Sequence, residues 1–267
     1  MSVESTDSKP WVLITGASSG IGKVFAKRFA REGWNLVFVA RSADLLNELA
    51  QALRKEYSVD TFVIPADLTD RSAPHKIYEE VRRRGIQVDG LVNNAGFGGG
   101  GKFAESELNL YLRMIDLNVR ALVELTHFFL RKMIEQKRGL IINVSSTASY
   151  QPLAYSAIYA ATKSFVTSFT EALWLETKGT GVRVLNLCPG LTKTNFGVAA
   201  GVRDFRKDPF AQKPEEVVES AFHALQENAP TVISGFRNQL LIFLERFLPH
   251  RLLLWIVFLF QKSRGRV

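Results

Sequence analysis

A single cysteine, Cys188, leaves no partner for an intrachain disulfide in the 267 residues. It closes the apolar run Val182–Cys188, where a buried and inert thiol is expected. The four histidines (His75, His127, His223, His250) form no ligand cluster, so a catalytic metal is not expected. Long apolar runs are missing too: the longest, Leu252–Phe260, has nine residues, against the ~20 needed to cross a bilayer. There is no internal repeat, no low-complexity tract, and no Gly-x-Ser-x-Gly elbow with a paired histidine, which argues against a hydrolase triad. Met1–Lys9 is polar, carries Glu4 and Asp7 and has no apolar core; it reads as a flexible N-terminus and not a signal peptide.

What is present is ordinary in amount but uneven in charge. Hydrophobic residues make up 46% and charged residues 22%, as in a globular enzyme, with a net charge of +8. From Leu240 onward there are five basic residues (Arg246, Arg251, Lys262, Arg264, Arg266) against Glu245 alone, a local net of +4. No nucleic-acid motif accompanies this charge, so a nucleic-acid partner is not expected. An anionic cofactor or a membrane surface is left to explain it.

Trp11–Ile14 is a short apolar run, read as a buried parallel strand. It enters Thr15-Gly16-Ala17-Ser18-Ser19-Gly20-Ile21-Gly22 and then a helix-period segment with Val24, Phe25, Phe29 and Ala30 on one face. Asn35–Ala40 is a second apolar strand. Strand, glycine turn, helix and strand within about 30 residues is the dinucleotide-binding βαβ unit, in which a pyrophosphate rests on the helix N-terminus. Further strands are read at 61–66, at 91–94, at 140–146, at 182–188 and at 231–234. Helices are read at 44–55, 72–84, 106–136 (bent or broken early), 156–178 and 214–227. This predicts an α/β doubly wound (Rossmann) domain on a seven-stranded parallel sheet over residues 10–235, with a hydrophobic, basic C-terminal extension at 236–267.

Tyr159 and Lys163 stand four residues apart, one turn along one side of a helix. An ammonium there favours the phenolate and lowers the tyrosine pKa toward neutrality. Alone the pair is better explained by a half-buried tyrosine beside a surface lysine. Arg41, after the second strand, suits a ribose 2′-phosphate, or caps a strand at the surface. Asp67 is a candidate helix N-cap. Asn118 is unfavourable inside a helix unless its amide is hydrogen-bonded.

The order of these segments resembles the short-chain dehydrogenase/reductase family, in its ~250-residue form. Thr15–Gly22 is similar to the family's cofactor loop, Asn93-Asn94-Ala95-Gly96 to its Asn-Asn-Ala-Gly turn, and Pro189-Gly190-Leu191-Thr192-Lys193-Thr194 to its Pro-Gly-x-x-x-Thr turn. The resemblance implies NADP(H), with NAD(H) the weaker choice. It places the cofactor against Gly16, Ser18, Ser19, Gly20, Ile21, Gly22, Arg41, Asp67, Asn94, Ala95, Gly96, Tyr159, Lys163, Pro189, Gly190 and Thr194. It implies a catalytic set of Asn118, Ser146, Tyr159 and Lys163. Ser146 is thirteen residues before Tyr159, the family's spacing, with Ser145 the fallback.

On this basis the expected reaction is hydride transfer between nicotinamide and a carbonyl or alcohol, in the direction of ketone reduction. The substrate is read as hydrophobic, lipid-like or 3-oxoacyl. A non-catalytic dinucleotide sensor or scaffold is the alternative. Gly98–Gly101 is expected as a mobile loop and pocket wall, and 195–213 as a lid. In that lid Phe196, Phe205 and Phe210 would line an apolar pocket, and Arg203, Arg206 and Lys207 would face an anionic group. A homodimer or homotetramer in the cytoplasm is expected. For 240–260 three readings stand: a helix packed on protein, a peripheral membrane contact, or a substrate lid.

Overall fold

The computed structural model describes residues 9–201 and 204–263, apart from the side chains of Phe260 and Ser263; residues 1–8, Arg203, Arg264 and Arg266 lie outside the described residues. Seven parallel strands form one sheet in the order β3-β2-β1-β4-β5-β6-β7. They are β1 Trp11–Thr15, β2 Asn35–Ala40, β3 Thr61–Pro65, β4 Val88–Asn93, β5 Gly139–Val144, β6 Val182–Cys188 and β7 Thr231–Ile233. Helices join them: α1 Gly20–Arg31, α2 Ala43–Tyr57, α3 Ala73–Arg83, α4 Leu108–Ile115, α5 Leu122–Glu135, α6 Ala157–Glu176, α7 Phe196–Ala199 and α8 Pro214–Gln226. Alternation along each strand sends residues to opposite faces. Val12 and Ile14 meet α1, α2 and α8 through Phe25, Phe29, Leu46 and Phe222. Leu13 and Leu91 meet α3 and α5 through Ile77, Leu125 and Phe129 on the other face. Strands covered on both sides need apolar residues at every position, which is why β1 and β2 read as continuous runs.

The stretch 106–136 is one helical path of three parts. Between α4 and α5 the turns widen into a π-helical segment, Asp116–Ala121. Such segments insert a residue into the helix and recur at functional sites. Here it carries Asn118.

A buried polar chain crosses the centre. Asn93 of β4 and Asn143 of β5 are register partners, and the Asn93 amide donates to Asn143 Oδ1 (2.9 Å) and to Thr126 Oγ1 of α5 (3.0 Å). The Asn143 amide donates to Thr170 Oγ1 of α6 (3.0 Å). Two strands and two helices are thus tied by four side chains inside the core.

After β7 come α9 Phe236–Glu245 and α10 His250–Ser263. Pro249 cannot continue α9 and precedes α10, so the apolar tail breaks in two. Ile242, Leu253, Val257 and Gln261 are buried. No helix among the described residues is long and apolar enough to cross a membrane.

Candidate active site

The strand order reverses between β1 and β4, and the crevice beyond their C-termini is where open parallel sheets take ligands. Gly16 leaves β1 with φ +67°, a left-handed conformation that costs glycine little. A Cβ on Gly22 would overlap the Gly16 carbonyl oxygen, so any other residue there forces the loop to shift. The loop is held from β4. Thr15 Oγ1 accepts the N–H groups of Asn94 (3.0 Å) and Ala95 (2.9 Å), and the Asn94 amide donates to the Thr15 carbonyl (2.9 Å). Asn94 and Ala95 therefore shape the loop as well as flanking the crevice. Thr15 was not expected as a site residue; its position after an apolar run and before Gly16 was the available signal.

Ser19 is the N-cap of α1, extended in backbone, and its side chain makes no capping bond. The first-turn N–H groups of α1 are left to point into the crevice beside Ser18, Gly20 and Ile21, a ready anion site. Thr194 approaches from the far side, its Cγ2 within 3.0 Å of where a Gly20 Cβ would be. Pro189 accepts the Thr147 N–H (2.9 Å), which joins the end of β6 to the turn after Ser146. Arg41 is exposed at the end of β2; the Asp67 carboxyl nearby is held below the usual range, against the pull of burial, first by its hydrogen bonds from Thr69 and then by the charges of Arg41 and Arg113. Asp67 does not cap α3, whose N-cap is Ser72; it accepts the N–H and hydroxyl of Thr69 (3.0 and 2.9 Å). The tight glycine loop, the uncapped helix start and the cation at the β2 end fit a dinucleotide with an extra phosphate.

The residues expected to carry the proton transfer meet at the ends of β4 and β5. Asn118 is buried; its amide donates to the Phe97 carbonyl (3.0 Å) and Thr162 Oγ1 (3.1 Å), and Oδ1 accepts the Phe97 N–H (3.1 Å). Gly96 fits between Asn118 Oδ1 and Lys163 Nζ, 3.1 and 3.4 Å from its would-be Cβ. Lys163 is buried and donates to the Val144 carbonyl (2.8 Å); burial lowers its amine to about 8. Ser146 caps a short turn by accepting the Ala148 N–H (3.1 Å), and its hydroxyl lowers the Tyr159 phenol in part. Ser145 is buried and donates to the Lys163 carbonyl (2.8 Å), so it braces α6 and the fallback role for it lapses. Thr162, which bridges Asn118 to the Tyr159 carbonyl (2.8 Å), was also unforeseen.

The expected pKa effect on Tyr159 is overturned. Burial of the phenol under Phe196 and the Gly98 backbone pushes it up from its ordinary value, only partly offset by the Ser146 hydroxyl. The Lys163 amine sits 6.0 Å from the ring centre and is directed to the backbone instead.

Gly98–Gly101 does form a wall: Gly98 packs on Tyr159 and Phe196, and the Gly101 N–H donates to the Tyr155 carbonyl (2.8 Å). The segment 195–213 is closed at its base by the Thr192–Gln212 bridge. Its expected lining is corrected in part. Phe196 lies 5.8 Å from the Tyr159 ring and Phe205 is buried, but Phe210 is 69% exposed beneath Arg237. Arg206 is paired with both carboxylate oxygens of Asp204 (2.7 Å each), a partner the sequence reading did not assign it. A cavity of about 640 Å³ lies elsewhere, behind α6, between Ser149–Ala154, Ala157, Ala161 and the α10 residues Leu254 and Val257. None of Asn118, Ser146, Tyr159 or Lys163 lines it.

The short chain dehydrogenase family profile matches residues 10–202. The chain belongs to that family and is an oxidoreductase of the alcohol–carbonyl type. Sulfoacetaldehyde reductase 2 of Chromohalobacter salexigens is 37% identical over 220 residues, 79% of this chain and 86% of that one. A short-chain dehydrogenase from Sphingobium yanoikuyae, solved with NADPH, superposes with a TM-score of 0.79 at 34% identity, covering 84% of this chain and 87% of that one. A 7beta-hydroxysteroid dehydrogenase structure superposes with a TM-score of 0.85 at 29% identity over 93% of this chain and 96% of that one.

Proposed function

We propose that the chain reduces a hydrophobic ketone with NADPH. The observation that carries this reading is the convergence of Ser146, Tyr159, Lys163 and Asn118 beside the glycine cradle. Bound NADPH would supply the hydride from nicotinamide C4. Tyr159 gives its proton to the carbonyl oxygen; a phenol held above 10 is protonated at neutral pH, the state an acid requires. The Ser146 hydroxyl donates to the same oxygen as negative charge builds there. Lys163 binds the nicotinamide ribose, and Asn118 keeps the water through which the proton is restored. Residues 10–235 are the catalytic unit and 236–267 an extension.

Arg41 beside Asp67 supports the phosphorylated cofactor, as does the NADPH held by the Sphingobium yanoikuyae neighbour. The apolar Phe196 wall, the neutralised Arg206 and the hydroxysteroid dehydrogenase neighbour support a lipid-like or 3-oxoacyl ketone over a small anionic aldehyde of the sulfoacetaldehyde kind. A cytoplasmic homodimer or homotetramer accords with the outward apolar residues of α4 and α6, among them Leu108, Leu112 and Phe165. NADPH consumption over cyclic, long-chain and anionic carbonyls tests the substrate class; preference for sulfoacetaldehyde would reverse it. Arg41→Asp should lower kcat/KM for NADPH about tenfold to a hundredfold, the worth of one charge-assisted contact, and an unchanged NADPH/NADH ratio would remove Arg41 from the reading.

A further inference from the structure

The C-terminal hairpin carries apolar groups that the chain itself does not cover. On α10, Leu253, Val257 and Gln261 are buried, while Leu252, Trp255, Ile256 and Leu259 recur at helical steps on the opposite side and are exposed, Trp255 by 63%. On α9 and just beyond it, Phe236, Leu240, Phe243 and Phe247 make a second outward stripe, Phe247 exposed by 71%. Apolar area of this extent on one short hairpin marks an interaction surface.

The charges around it choose the partner. Arg237, Arg246, Arg251 and Lys262 are exposed, and none forms an ion pair among the described residues. Glu245, the one acid of the two helices, is half-buried. Pairing this face with the same face of a second copy would set cation against cation. A surface rich in anionic headgroups matches both features, because interfacial helices combine an apolar side with flanking Lys and Arg. We infer that the α9–α10 hairpin docks the enzyme onto an anionic lipid surface, its outer apolar side chains entering the interface and its basic residues meeting the headgroups. Neither helix spans the bilayer. The proposal stands apart from the identity of the ketone.

The test is co-flotation of the full chain with vesicles of phosphatidylcholine alone or mixed with phosphatidylglycerol. The wild type should float with the mixed vesicles and be released by high salt. Arg251→Ala/Lys262→Ala should weaken partition about thirtyfold, at about fivefold per cation. Leu252→Glu/Trp255→Glu should abolish flotation. Both variants should retain NADPH-dependent turnover of a water-soluble ketone, which shows that they fold. Absence of flotation in the wild type, or flotation unchanged in both variants, overturns the proposal. So does concentration-dependent self-association, by sedimentation without lipid, that Leu252→Glu/Trp255→Glu abolishes while flotation persists.

Discussion

The glycine cradle and the C-terminal hairpin use space in opposite ways. At Gly22 one added carbon would overlap a carbonyl oxygen. At α9 and α10 whole phenyl and indole groups stand outside the core. In the cradle, Thr15, Gly16 and Asn94 hold one another through hydrogen bonds, so these residue choices have a reason within the chain. In the hairpin, Ile242, Leu253, Val257 and Gln261 are buried and Asn238 hydrogen-bonds Gln212 and the Ser234 carbonyl, but many of the apolar residues have no such reason. The difference separates a region shaped to hold something small and close from one shaped by something large and outside.

That contrast can be tested from its strongest expected effect downward. Tyr159→Phe should lower kcat by about 10²- to 10⁴-fold, the usual contribution of a positioned acid, with dinucleotide affinity by fluorescence titration unchanged. Retained turnover would remove the phenol from the chemistry. Next comes the buried amine. Below its value of about 8, Lys163 is charged in both the folded and the unfolded chain, and the fold carries the full cost of burying that charge. Between about 8 and the unfolded value of 10.5 the folded amine loses its proton first, so stability rises with pH, by on the order of 3 kcal/mol. Tyr159 opposes this only above 10, where the unfolded phenol ionises first. Lys163→Met should flatten the rise in urea melts between neutral pH and pH 10.

Gly22→Ala should cost about 1–3 kcal/mol, the range for overpacking, and lower the melting temperature by about 2–4 °C per kcal/mol in a chain of this size. A melting curve like the wild type's would show that the cradle has slack. At the other extreme, Leu241→Ser in α9 should change stability by no more than about 0.5 kcal/mol, as for surface sites generally. A large loss in denaturant melts would mean that this exposed part of α9 packs on the enzyme after all.

Sequence patterns captured features decided by near neighbours. The β1 run, the Gly16–Gly22 spacing and the four-residue step from Tyr159 to Lys163 are local. The widened turn at Asn118 was not legible, because its partners Phe97 and Thr162 are 21 and 44 residues away. The tyrosine's direction of shift was misread for a related reason. A four-residue step says that an ammonium is near, but not that Phe196 and Gly98 cover the phenol or that Val144 takes the amine's hydrogen bond. Arg206 is an exception among local features: Asp204, two residues earlier, was visible as the partner that neutralises it. Phe210 needed Arg237, a contact across sequence. The cavity behind α6 needed α10 in place, and no pattern in the tail told which side of it would turn inward.

The buried chain of Asn93, Asn143, Thr126 and Thr170 also selects one arrangement of the fold. Slipping β4 against β5 by one residue would part Asn93 from Asn143, and rolling α6 about its axis would take Thr170 away from the Asn143 amide. Either error strands a polar group in the core at about 1–3 kcal/mol, where an all-apolar core would tolerate the shift. Thr170 lies two turns along α6 from Lys163. A mistake in helix rotation that would swing Tyr159 and Lys163 out of the crevice is therefore penalised at a place that takes no part in the chemistry.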